Sequence, residues 1–130
     1  MPHLVVEYSD NLVPKVNVQA LVDHLHQSAL ATGVFPLGGL RTRAEERKVY
    51  KIADGHSDNA FVHVTMWLGH GRDEATKLQA AQQVFDDLVA FLQPVFEKTP
   101  LGISLNMQEL DPVLNFKKNN LHEYVKRRAS

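Results

Sequence analysis

The sequence predicts an α+β domain in two layers, with helices packed on one face of a sheet built from two βαβ units. Three observations lead there. A strand-like run opens each half of the chain, a helical apolar stripe with a competent N-cap follows each run, and a further extended segment follows each stripe. A βαβ crossover is right-handed in nearly all proteins, which puts both helices on the same face of a joined sheet. The repeat lies in the order of elements, not in the residues.

Each element has its own signal. In His3 to Tyr8, Val5, Val6 and Tyr8 are good β formers, and Leu4, Val6 and Tyr8 share one face. Ser9, Asp10 and Asn11 break this run. Asn17 can cap a helix that carries Val18, Leu21, Val22, Leu25 and Ala29 on one stripe, and Gly33 is placed to end it in a left-handed conformation. Pro36, Gly38 and Gly39 mark turns, and the charged segment beyond Leu40 is expected to be extended, with a hairpin or a bent strand among the forms open to it. After the Asp54-Gly55 turn, Phe61 to Leu68 reads as a strand with apolar residues on both faces, which predicts burial on both. Asp73 caps a long helix reaching Phe96, with the stripe Leu78, Ala81, Phe85, Leu88, Leu92 and Val95. Beyond Pro100, Leu101, Ile103, Leu105 and Met107 alternate with small and polar residues, a one-sided strand. From Asn119 a short helix is expected, ending in Lys126, Arg127 and Arg128.

Composition excludes several classes of function. The 130 residues suit one domain spanning 1–130, and a formal net charge of −1 gives no global electrostatic case for nucleic acid. There are no cysteines, so disulfides, thiolate metal sites and thiol catalysis are out, which fits a reducing cytoplasm. No apolar stretch approaches the ~20 residues of a membrane span. Glu7, Asp10 and Asn11 arrive too early for a signal peptide. A cytoplasmic protein with no membrane partner is the expectation.

The opening MPHLVVEYSDN carries the chemistry. Initiator methionine is removed when a small residue such as proline follows, which leaves Pro2 with a free secondary amine. Such an amine has a reference pKa of about 7.7–8.0, and burial or a nearby guanidinium lowers it further. A neutral amine at working pH is an efficient general base, held rigid by its ring and by the strand behind it. The bland alternative is that Pro2 only stiffens a terminus. Arg41, Arg43 and Arg72 supply forks that bind carboxylates bidentately. Equally, Arg41 and Arg43 belong to a solvated charged run with Arg47 and Lys48. Arg72 sits just before a helix, where a cation opposes the dipole, and that misfit favours an anion-binding role.

Histidines offer less. His24 and His26 are two apart and do not share a helix face, so they are no joint metal site. His63 reads as a sheet residue, and His3 neighbours the presumed base. Phe116 is expected to pack a subunit contact, with an apolar wall of the pocket as the alternative, and Trp67 to lie in core or interface.

Five separated stretches resemble one family: MPHLVVEYSDN, ATGVFPLGGLRTR (Ala31 to Arg43), ADGHSDNAFVHVT (Ala53 to Thr65), GHGR (Gly69 to Arg72) and LNFKKNNLHEYV (Leu114 to Val125). They look like the 5-carboxymethyl-2-hydroxymuconate isomerases, within the tautomerase superfamily that includes 4-oxalocrotonate tautomerase. The likeness runs from Met1 to about Lys126, looser over Ala44 to Lys51 and the long helix. It implies a tautomerase-like four-stranded mixed sheet backed by two helices, assembled as a homotrimer. It also implies that Pro2 is the catalytic base, and that Arg41 and Arg72, with Arg43 less securely, bind a di- or tricarboxylate substrate. No metal or organic cofactor is required by that chemistry. A tautomerase acting on other enol acids, and a trimeric binding protein with the same fold, are the competing expectations.

Overall fold

In the computed structural model, residues 1–129 are described, and they form a four-stranded mixed sheet. The strands are β1 (His3–Ser9), β2 (Arg41–Arg47), β3 (Ala60–Leu68) and β4 (Leu101–Glu109), in the order β2-β1-β3-β4. Helix α1 (Val18–Ala31) joins β1 to its parallel neighbour β2, and α2 (Glu74–Phe96) joins β3 to its parallel neighbour β4. The two units meet where β1 and β3 pair antiparallel. The expected pair of βαβ crossovers in one sheet is therefore present.

Both helices start as the sequence implies. The Asn17 side chain accepts from the Ala20 backbone N–H at 3.0 Å, and that of Asp73 from the Thr76 N–H at 2.7 Å. Gly33 follows the end of α1 with φ of 75°, a conformation glycine adopts without steric cost. The charged segment beyond Leu40 is extended, as expected. It forms one strand, β2, at an edge of the sheet, in register with β1 from His3 opposite Arg41 to Ser9 opposite Arg47.

Strand alternation places the core. Leu4, Val6 and Tyr8 of β1 and Ala60, Val62, Val64, Met66 and Leu68 of β3 point to the helix side and are buried. Leu21, Leu25 and Ala29 of α1 and Val84, Leu88 and Leu92 of α2 close over them. Ser28 of α1, itself buried, donates to the Asp87 carboxylate of α2 and ties the helices together.

Two expectations need correction. The buried line of α2 is Ala80, Val84, Leu88 and Leu92, whereas Leu78 is 65% exposed. The helix has a second apolar flank, Leu78, Ala81 and Phe85, which faces Ile103 and Leu105 at the sheet edge and not its centre. Nor is β3 buried on both faces. Phe61, His63, Thr65 and Trp67 lie half-buried on the side opposite the helices, where neighbouring strands alone shield them. His63 shares a hydrogen bond of 2.6 Å with the Ser104 hydroxyl there, as a sheet residue should.

Candidate functional site at the chain's amino terminus

The turn residues between α1 and β2, and those between β3 and α2, converge on the start of β1. Parallel pairing forces this: the backbone N–H of Arg41 donates to the Pro2 carbonyl at 3.2 Å, so the loop entering β2 must end beside Pro2. The antiparallel partner β3 ends at the same edge, because His3 pairs with Trp67. Gly69 and Arg72 are thereby delivered to the same place.

A cavity of about 160 Å³ results, lined by Met1, Pro2, Phe35, Pro36, Gly39, Leu68, Gly69, Arg72, Lys117 and His122. Phe35 and Leu68 give it an apolar wall; both are buried. Pro2 is buried as well. The Arg72 guanidinium is fixed by two carbonyls, donating from Nη2 to Val34 at 2.8 Å and from Nη1 to Gly69 at 3.4 Å. A positioned cation without a carboxylate partner among the described residues suits a site that receives an anion.

Electrostatics agree with the geometry. Burial, then the Lys117 ammonium and the Arg41 guanidinium, hold the amino-terminal pKa, here on Met1, below its ordinary value of 8.0. His3, next along the strand, is also held below its usual 6.5, by burial first and then by Arg43, Arg41 and the terminal amine.

The expected site residues thus divide. Pro2 and Arg72 line one cavity. Arg41 does not line it, but its charge reaches the amine, and its Nη1 donates to the Gly39 carbonyl at 2.9 Å. Arg43 is exposed on the open face of the sheet and bonds His3 Nδ1 at 3.0 Å, apart from the cavity. His24 faces the Phe91 ring while His26 shares a hydrogen bond with Thr42, so the two histidines serve different contacts.

Sequence reasoning missed Lys117 and His122. They come from the chain's far end, where α3 (Leu121–Ala129) and the segment before it fold back over the loop at Gly38. The Asn119 amide donates to the Gly38 carbonyl at 3.0 Å, and its Oδ1 accepts from the Leu121 N–H, capping α3. A β-carbon at Gly38 would fall 2.8 Å from the Cα of His122, so only glycine permits this approach. The KKNN run gave a signal of charge without one of position. Phe116, expected at a subunit contact, is 88% exposed within the chain and does not line the cavity.

The sequence profile of the 5-carboxymethyl-2-hydroxymuconate isomerases matches residues 2–125. The chain is 36% identical over 126 residues to the 5-carboxymethyl-2-hydroxymuconate Delta-isomerase of Escherichia coli, covering 97% of this chain and all of that one (100%). A crystal structure of a 5-carboxymethyl-2-hydroxymuconate isomerase from Deinococcus radiodurans R1 superposes with a TM-score of 0.88 at 34% identity, over 95% of this chain and 93% of the other. A fused 4-OT symmetric trimer shares the fold at 16% identity, with a TM-score of 0.62 over 91% and 92% of the two chains. The fold is therefore that of the tautomerase superfamily, and the chain belongs to the 5-carboxymethyl-2-hydroxymuconate isomerase family, whose members are isomerases.

Proposed function

We propose that the chain isomerises 5-carboxymethyl-2-hydroxymuconate to its 2-oxo form without a cofactor, using the Pro2 amine as general base once Met1 is removed. The observation that carries this reading is the joint lining of one cavity by the amino terminus, Pro2 and Arg72. The substrate is a conjugated dienol bearing three carboxylates. The base takes the proton of the 2-hydroxyl, the C2–O bond becomes a carbonyl, and the double bonds shift to C3–C4. A proton is then delivered to C5, so one O–H bond is exchanged for one C–H bond and nothing is oxidised. Arg72 holds a carboxylate from its two carbonyl anchors, and Arg41 adds positive charge where the dienolate grows. Arg43 contributes from a distance, through His3.

Aromatic acid catabolism of the homoprotocatechuate type, in the cytoplasm, is the setting this substrate belongs to. Among the described residues no helix is long and apolar enough to cross a membrane. Assembly as a homotrimer is favoured by the uncovered sheet face with Phe61 and Trp67, and by Val113, Leu114 and Phe116, which are 76%, 74% and 88% exposed.

The test joins mass analysis to kinetics. The mature protein is expected to begin at Pro2, and Pro2→Ala to lower kcat by about 10²–10⁴-fold with KM little changed. A terminus that keeps Met1 leaves Pro2 as an amide and favours the binding-protein alternative. An unaltered rate in Pro2→Ala removes the base.

A further inference from the structure

Lys117 stands apart from the other lysines of the chain. It lines the cavity that holds Pro2 and Arg72, and no hydrogen bond or carboxylate partner engages its ammonium among the described residues. Lys48 and Lys77 pair with Glu46 and Glu109, and the other lysines do not line this cavity, so it is the cavity that distinguishes Lys117. Its position is also constrained. The chain leaves β4 at Glu109, bends where the Asp111 carboxylate accepts from the Val113 and Leu114 N–H groups, and is clamped beyond Lys117 at Asn119 on the Gly38 carbonyl and at His122 against the bare Cα of Gly38. A strap held this way delivers a cation to the mouth of the cavity without burying it, and Lys117 is itself exposed.

Counting charges suggests what it receives. A substrate with three carboxylates meets Arg72 in the cavity wall and Arg41 beside the amine. The third anionic group, on the side chain of the diene, finds no further arginine in the cavity wall, and Arg127 and Arg128 stack over the Tyr124 ring. Arg43 is spent on His3, and Arg47 on Glu7 and Glu45, both on β2 away from the cavity.

We infer that Lys117 is a specificity-determining residue: it binds the third carboxylate, so that the strap selects tricarboxylate over dicarboxylate enols. This rests on the proposed isomerase reading and refines it. An ammonium suits the task, being a mobile point charge that follows a flexible carboxymethyl arm, where a planar fork demands one orientation.

The experiment compares wild type, Lys117→Ala and Lys117→Arg on two substrates, 5-carboxymethyl-2-hydroxymuconate and 2-hydroxymuconate, the latter lacking the carboxymethyl arm. Lys117→Ala is expected to lower kcat/KM on the tricarboxylate about 10- to 100-fold, chiefly through KM, and on the dicarboxylate by less than about threefold. Lys117→Arg is expected to restore part of the loss, since the charge returns on a less adaptable group. Equal losses on both substrates, or none on either, overturn the assignment. Inhibition constants for tricarballylate and glutarate give a readout independent of turnover. Wild type is expected to prefer tricarballylate and Lys117→Ala to lose that preference; a preference retained counts against Lys117. A wild type that turns over neither substrate while keeping the Lys117-dependent preference overturns the isomerase reading and leaves the anion site standing.

Discussion

Pro2 and His3 are neighbours in sequence but face the same cations from opposite sides of one strand. Arg41 influences both, lowering the amino-terminal pKa and that of His3. The pH behaviour of the enzyme should follow. With Met1 removed, kcat/KM is expected to rise with pH through a group below about 8. In Arg41→Ala the inflection should move upward, since a neighbouring positive charge no longer disfavours the protonated amine; a pH–rate profile of the two proteins checks this. Arg72→Ala, by contrast, is expected to raise KM for the acid substrate while leaving the inflection in place. His3 bears on stability. Above its unfolded pKa of 6.5 it is neutral in both folded and unfolded chains. As pH falls below that value, the unfolded chain takes up a proton that the folded one still refuses, so stability declines until the lower folded pKa is reached. Urea titrations at about pH 7.5 and about pH 5.5 should show this decline, and His3→Gln should flatten it.

At the scale of elements, strand and helix periodicity governs what could be foreseen. Capping at Asn17 and Asp73, the run of β1 and the alternation of β4 were legible because each depends on residues adjacent in sequence. The α2 stripe was placed only in part: Leu88 and Leu92 are buried as read, but the helix has two apolar flanks, and only the sheet beneath decides that Leu78 stays outside. Leu88 lies on the correct line and is fully buried, so Leu88→Ala should cost about 2–5 kcal/mol by chemical denaturation. Gly38 tests the strap instead. Gly38→Ala is expected to leave the midpoint of thermal unfolding within a few degrees of wild type while lowering activity, because the added carbon displaces His122 and the segment carrying Lys117 and leaves the core untouched.

For the molecule as a whole, the unequal faces of the sheet are decisive. One is sealed by two helices; the other carries Phe61, Thr65 and Trp67 half-buried, flanked by the charged edge β2 with its Arg47–Glu7 and Arg47–Glu45 pairs. The apolar residues on both sides of β3 were visible in the sequence, but burial on the second face does not arise within one chain. Sedimentation is expected to give three times the 14.6 kDa chain mass, and Trp67→Lys to yield smaller species. Pro2 and Arg72 stood out in the sequence, as an opening Met-Pro and an arginine beside a glycine turn, and the fold brings both to one cavity, whereas Arg41 and Arg43 do not line it. Lys117 could not, because nothing local says that residue 117 returns to residue 2.

That return has a consequence for local stability. Helix α3 buries none of its described residues, yet the segment before it shares a cavity wall with Pro2. A local opening of this segment would therefore uncover the amino terminus while β1 stays paired with β3.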